Sequence, residues 1–294
     1  MVTKKTSPAR LLKEVLTVFS LPKSPKYNVG DEKISIDGYT VEKFDCPTMA
    51  GYWSAASDIG VGYVLKNRNE TVMSTTSMEI ESHLAAQHNA KGRVVVAGLG
   101  LAMIATSLLK KRSVTKLSIL EINETIMGLY PDILAGEDRA IWESCLASGR
   151  LQILKADCTK SIGDDVLKAI GKVDYLWVDV WNNLGSREAR PITENLCRQL
   201  NPKQADWWGH ELEIATYAIM FNHEQGSSNP YRISGAYLEH LKKTFSVPLS
   251  IHNYNAKELK LMSTLCFIAA KQTITLERQS KDACVFLKNS ENTG

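Results

Sequence analysis

The chain predicts an α/β protein built on an open, mostly parallel sheet, with a small antiparallel β subdomain before the sheet and helices after it. Three observations carry that prediction. Between residues 93 and 181, short apolar runs alternate with segments of helical spacing, the signature of strands joined by helical crossovers. After Arg93, the run "RVVVAGLG" is apolar at every position up to its first glycine, as expected of a strand covered on both faces. Upstream, turn residues recur at short intervals (Pro22, Pro25, Gly30, Gly38, Pro47, Gly51, Gly60, Gly62), which favours hairpins over helices.

Taken in order, "MVTKKTSPARLLKEVLTVFS" has apolar residues interrupted by Lys13 and Glu14. That pattern is an amphipathic helix and a poor secretory signal. Residues 28–75, with "KISIDGYTVEKF" and "GVGYVL", read as the antiparallel subdomain, and "SMEIESHLAAQHNA" as one helix leading into the main sheet. The sheet itself takes strands from "RVVVA", "KLSILEI", "RLQILKA" and "VDYLWVDVW", with helices starting in "LAMIATSLLKK", "NETIMGLYPDIL" and "SIGDDVLKAIG". Beyond residue 185 the pattern is mainly helical, most clearly in "ADWWGHELEIATYAIMF". The division expected is residues 1–90 for the helix and β subdomain, 91–215 for the cofactor-binding core, and 216–294 for a helical extension.

Composition narrows the function classes. At 294 residues, 44% hydrophobic and 23% charged, the chain is ordinary for a globular protein. A formal charge of +3 with no basic block longer than Lys110–Arg112 gives no nucleic-acid signal. Six cysteines lie scattered, with no Cys-x-x-Cys pair and no histidine at ligand spacing, so no metal is expected and free thiols in a reducing, cytoplasmic setting are. No apolar run approaches the roughly 20 residues that cross a bilayer.

In open parallel sheets ligands sit beyond the carboxyl ends of the strands, so the strand tips hold the candidate site. The first tip is the corner Gly98-x-Gly100-x-Ala102. A dinucleotide fingerprint needs a small residue one place later, where Met103 stands, and that argues against NAD or FAD. Glu121 ends the second strand about 20 residues on, where a ribose-binding acid sits in nucleotide-binding α/β units. Asp157 at the third tip can accept from an exocyclic amine such as that of adenine. Asp179 lies in the apolar "DYLWVDVW", where an acid needs a partner or a shifted pKa, and it is the foremost candidate for chemistry.

With these residues in view, the segment from 93 to 183 resembles the Rossmann-like core of class I S-adenosylmethionine-dependent methyltransferases, and within that superfamily it is most similar to the spermidine synthase branch. The likeness rests on Val96 before the corner in place of an acid, on "LEIN", on Ala156-Asp157 and on "DVWNN". It implies that Gly98, Gly100 and Ala102 border the amino-acid part of the cofactor, that Glu121 holds the ribose and Asp157 the adenine, and that Ile122, Cys158, Asp179 and Trp181 also lie against the cofactor. Asp179 would deprotonate or orient an attacking amine. Trp181, Asn182 and Asn183 replace the rest of that branch's catalytic loop, and Ser77-Met78-Glu79 stands where it has Tyr-(Gln or His)-Glu, so Glu79 alone is matched.

The expected function is therefore a transferase using S-adenosylmethionine on a small, possibly amine, acceptor. The alternatives are aminopropyl transfer from decarboxylated S-adenosylmethionine and a non-catalytic binding protein of the same fold. Trp181 is placed to close over a cation by cation–π attraction. Asp206, His210 and Glu211 are a second candidate acceptor site, 206 and 210 sharing a face if that segment is helical. His83 and His88 rank below them. A homodimer is implied by analogy only.

Overall fold

The computed structural model describes residues 8–30, 33–46, 48–55 and 60–291, so the first residues of the expected N-terminal helix lie outside the described part. After α1 (Pro8–Val15), four strands form an antiparallel sheet in chain order: β1 (Ile34–Ile36), β2 (Tyr39–Cys46), β3 (Gly60–Asn67) and β4 (Glu70–Ser74). Asp37 and Gly38, both with positive φ, make the two-residue turn between β1 and β2. An Asp-Gly pair is suited to it because both central positions of such a turn are left-handed.

Next come α2 (Ser77–Ser82) and α3 (Leu84–Asn89), where the sequence predicts one helix. The break falls at His83, and its cause is local. The carbonyl of Glu79, which a continuing helix would give to a backbone N–H, accepts from Ser82 Oγ at 2.9 Å and pairs with His83 Nδ1 at 2.7 Å. Side chains have taken the acceptor that the helical ladder needs.

The main domain then alternates as predicted: β5 (Gly92–Ala97), α4 (Met103–Leu109), β6 (Val114–Glu121), α5 (Glu124–Gly128), α6 (Gly136–Ala147), β7 (Leu151–Lys155), α7 (Asp164–Ile170), β8 (Tyr175–Val178), α8 (Ala189–Leu200), β9 (Gln204–Trp207) and α9 (His210–Glu224). The chain ends with α10 (Gly235–Thr244), a 3₁₀ turn over Ser250–Asn253 and α11 (Ala256–Glu291). The five main strands are parallel in the order β7-β6-β5-β8-β9, a Rossmann-like arrangement. The chain leaves β5 in one direction for β6 and β7 and returns on its other side for β8. The switch point, where such sheets open a crevice, is therefore at the end of β5.

Strand β9 is a correction. The sequence reads "ADWW" as the start of a helix, yet Ala205, Asp206 and Trp207 pair with Leu176, Trp177 and Val178 of β8. Gly209, at φ +86, makes the corner that starts α9. That helix runs through the position at which the helical extension is expected to begin.

Side chains of β5 show why its run is apolar throughout. Val95 and Ala97 join a core with Leu176, Val178, Trp207 and residues of α8, α9, α10 and α11. Val94 and Val96 join the opposite core with Leu117, Ile119, Trp177, α4, Trp142 of α6 and Leu65 of the β subdomain. Successive strand residues point to opposite faces, and here both faces are dry. Among the described residues no helix is long and apolar enough to cross a membrane.

Candidate functional site

A cleft of about 250 Å³ opens at the switch point. The carboxyl ends of β5, β6, β7 and β8 form its floor, and Tyr39, Asn67 and Met73 of the β subdomain face them. Of the residues singled out in the sequence, Gly98, Gly100, Glu121, Ile122, Asp157, Cys158, Asp179, Trp181 and Glu79 all line it. Ala102 does not. It is fully buried and holds the left-handed position (φ +55) that starts α4 behind the corner.

The corner is tightly specified. A Cβ on Gly98 would lie 1.9 Å from the carbonyl oxygen of Asp179, so only glycine lets β5 and β8 end side by side. That contact brings Asp179 next to the corner. Two buried tyrosines fix the loop beyond it: Tyr130 donates to the carbonyl of Gly100 at 2.8 Å and Tyr27 to that of Leu101 at 2.7 Å. The Leu99 N–H donates to Glu121 Oε2 at 3.0 Å, and the Leu101 N–H to Met73 Sδ at 3.2 Å.

Glu121 also accepts the N–H of Asn123 on Oε1 at 2.9 Å. Each carboxylate oxygen thus holds one backbone donor and keeps acceptor capacity for a second, at 8% exposure on the cleft wall. A rigid acid with two half-used oxygens fits a pair of vicinal hydroxyls. Ile122 beside it is 57% exposed, an apolar surface at the cleft mouth on which a flat ring can lie.

Asp157 is more committed than the sequence implies. Its Oδ1 accepts from the Thr159 N–H at 3.0 Å and the Thr159 hydroxyl at 2.6 Å, and Lys160 pairs with Oδ2 at 2.8 Å. The bond from Lys160, followed by those from Thr159, holds its carboxyl down at about 2. Cys158 is buried, and burial pushes its thiol up to about 12, which makes it apolar wall rather than nucleophile.

Asp179 sits between the cleft and a buried histidine. Its side chain is 19% exposed, whereas that of His83 is fully buried with Nε2 3.0 Å from Asp179 Oδ2. His83 Nδ1 faces the Glu79 carbonyl, an acceptor only, and so carries a proton. Burial opposes charge on the ring, but the bond to Asp179 and the charges of Asp179 and Glu79 outweigh it, so His83 titrates above its ordinary value. Burial, with the charge of Asp179, lifts the Glu79 carboxyl to about 7 against the opposing pull of His83. Trp181 borders this acid group, its indole N–H buried without an acceptor among the described residues.

His83 ranked low in the sequence because its partner stands 96 residues away. Met73 and Trp208 carried no sequence signal; Trp208 lines the cleft and donates to Ser82 Oγ at 2.7 Å. The candidate acceptor set Asp206, His210 and Glu211 is elsewhere. All three are buried and none lines the cleft. Asp206 belongs to a strand, accepting from Tyr175 at 3.0 Å, Asn89 at 3.1 Å and the Ser250 N–H at 3.2 Å. Among the described residues no group of three or more His, Cys, Asp or Glu could hold a metal ion.

No protein-family model matches the chain and no curated protein sequence matches it. Among solved structures it is similar to spermidine synthase from Thermotoga maritima, with 14% identity and a TM-score of 0.36 over 62% of this chain and 57% of that one. It is also similar to a spermidine synthase in complex with the transition-state analogue AdoDATO, with 15% identity and a TM-score of 0.37 over 62% and 58% of the respective chains. The matched region therefore spans less than two thirds of either neighbour. At that identity no residue role passes from them to this chain.

Proposed function

We propose that the protein is a transferase that moves an alkyl group from a nucleoside sulfonium donor to an amine. One observation carries the proposal: Glu79, Glu121, Asp157 and Asp179 line a single cleft, and among the described residues no Lys, Arg or His side chain lines it. Lys160 and His83 behind the wall offset Asp157 and Asp179 in part, and the lining itself still favours cations over anions. A sulfonium donor and an alkylammonium acceptor are both cations. Glu121 would take the ribose hydroxyls, Ile122 would cover the adenine face, and Asp157 has its remaining acceptor capacity for the adenine amine. The donor supplies the electrophilic carbon, so the protein's own task is to hold two reactants in line and manage one proton.

The same charge balance favours the aminopropyl reading over methyl transfer. S-Adenosylmethionine carries a carboxylate, and decarboxylated S-adenosylmethionine carries none. The cleft offers that carboxylate no cationic side chain, and the corner's Leu99 and Leu101 N–H groups are already donated to Glu121 and Met73. Calorimetric titration with the two sulfonium compounds side by side tests both levels. The expected result is tighter binding of the decarboxylated compound, lost in Glu121→Ala. Preference for the carboxylated compound would return the reading to methyl transfer, and binding of neither would refute it.

A further inference from the structure

Deepening the transferase reading, and resting on it, we propose that His83 is a positioning residue which holds Asp179 as an ionised carboxylate for the acceptor's ammonium, and that Glu79 rather than Asp179 takes the acceptor's proton. The argument begins with His83. Its Nδ1 proton is fixed by the Glu79 carbonyl at 2.7 Å, and its Nε2 meets Asp179 Oδ2 at 3.0 Å with no exposure to solvent. A contact of that length needs a proton between the two atoms. With Nδ1 already protonated and the ring titrating above its ordinary value, we assign that proton to the ring, an imidazolium facing a carboxylate that is left to bind a cation.

Glu79 lies in α2, four residues before His83 at that helix's C-terminal cap, and its side chain reaches the same cleft. The charged groups facing the pair are Asp179 from the end of β8, Glu79 from α2 and, through its charge, Glu211 from α9. Glu79 alone of these combines access to the cleft with a carboxyl lifted to about 7, where a base is matched to neutral pH. The step balances. An ionised Glu79 takes one proton from the acceptor's ammonium, and the nitrogen lone pair so freed forms the new C–N bond. The C–S bond breaks with its electron pair passing to sulfur, which becomes a neutral thioether. The product nitrogen is left as a secondary ammonium, and Glu79 returns its proton to water.

Two parts of the test need no substrate. In ¹⁵N-histidine-labelled wild-type protein, both ring nitrogens of His83 are expected in the protonated form at pH 6.5, with a midpoint above the ordinary value, and Asp179→Asn lowers that midpoint. In ¹³C-glutamate-labelled protein one carboxyl, lost in Glu79→Gln, titrates near pH 7. A neutral His83 tautomer at pH 6.5, or a Glu79 midpoint in the ordinary carboxylate range, overturns the proposal. These wild-type spectra decide it even if a substitution at the buried His83 prevents folding. With a turnover assay in hand, Glu79→Gln is expected to slow transfer by about 10²–10⁴-fold and to abolish the rise in rate through pH 7. His83→Gln moves that rise to higher pH, because it removes the positive charge that lowers the Glu79 value. An unmoved profile in His83→Gln, or an intact rise in Glu79→Gln, overturns it as well. Binding of 5′-methylthioadenosine, which carries no sulfonium and no amine, reports separately on the nucleoside pocket. Its failure would sink the transferase reading while leaving the His83–Asp179 pair to the spectra.

Discussion

Replacing Glu121 by glutamine changes shape least and chemistry most at the candidate site. The carboxylate accepts two backbone donors, Leu99 N–H at 3.0 Å and Asn123 N–H at 2.9 Å. A hydrogen bond to a charged partner contributes about 1.5–3 kcal/mol, and a neutral one about 0.5–1.5 kcal/mol. Glutamine keeps one of these bonds, in its weaker neutral form, and turns an NH₂ toward the other N–H. The stability lost is therefore about 2–4 kcal/mol, read as a fall in the urea midpoint at unchanged slope. The nucleoside should suffer too. Losing one charge-assisted bond to a ribose hydroxyl weakens 5′-methylthioadenosine by roughly 10- to 100-fold, measured by calorimetry on protein still folded at the working temperature. An unchanged urea midpoint would refute the two-donor geometry. A lowered midpoint with unchanged affinity would refute the ribose role and leave Glu121 a brace for the glycine corner.

Further outcomes follow from the same geometry. Burial lifts Glu79 to about 7 from an ordinary value near 4.5, so the folded state binds a proton that the unfolded chain has released. Stability from this group is complete below about pH 4.5 and declines as pH rises toward 7. Glu79→Gln should abolish that decline in urea titrations at pH 5, 6 and 7, and an identical pH dependence in both proteins would count against a raised Glu79. Gly98→Ala forces a Cβ to within 1.9 Å of the Asp179 carbonyl at φ +94. It is expected to cost about 1–2 kcal/mol from the left-handed strain alone, with the clash in addition, and to abolish nucleoside binding, whereas an intact binding isotherm would contradict the close approach of β5 and β8. Asp206→Ala strands the hydroxyl of Tyr175, Asn89 and the Ser250 N–H. A loss of roughly 3 kcal/mol or more is expected, with ligand affinity unchanged in whatever fraction stays folded. A selective loss of affinity would restore the acceptor role for that cluster.

What the sequence made legible is what depends on short range. The alternation of strands and helices is a local pattern, and with parallel strands it dictates that the tips after Ala97, Glu121, Ala156 and Asp179 converge on one side. The glycine corner was legible for the same reason. What escaped depends on contacts between distant segments. Strand β9 puts an acid, Asp206, into a buried position, and no periodicity announces a strand four residues long whose charge is satisfied by Asn89, Tyr175 and Ser250. The break at His83 is local, made by side chains on the Glu79 carbonyl, but the pairing of the same ring with Asp179 joins segments 96 residues apart. Asp157 is the opposite case: its nearest partners, Thr159 and Lys160, are its neighbours in sequence, and they use part of the acceptor capacity that the sequence leaves open.

The all-acid lining of the cleft bears on how a catalytic cycle would end. Alkyl transfer discharges the sulfonium, so the spent nucleoside leaves as a neutral thioether. On that reading the acids that draw in the cation, two of them already paired with Lys160 and His83, would have no comparable hold on what remains of it, and fresh donor would compete with spent nucleoside on charge as well as shape. Capture should be fastest in dilute salt and slow as ions screen the cleft, while escape of the uncharged product stays nearly indifferent to salt. The cleft would work as a ratchet whose direction is set by where the positive charge goes.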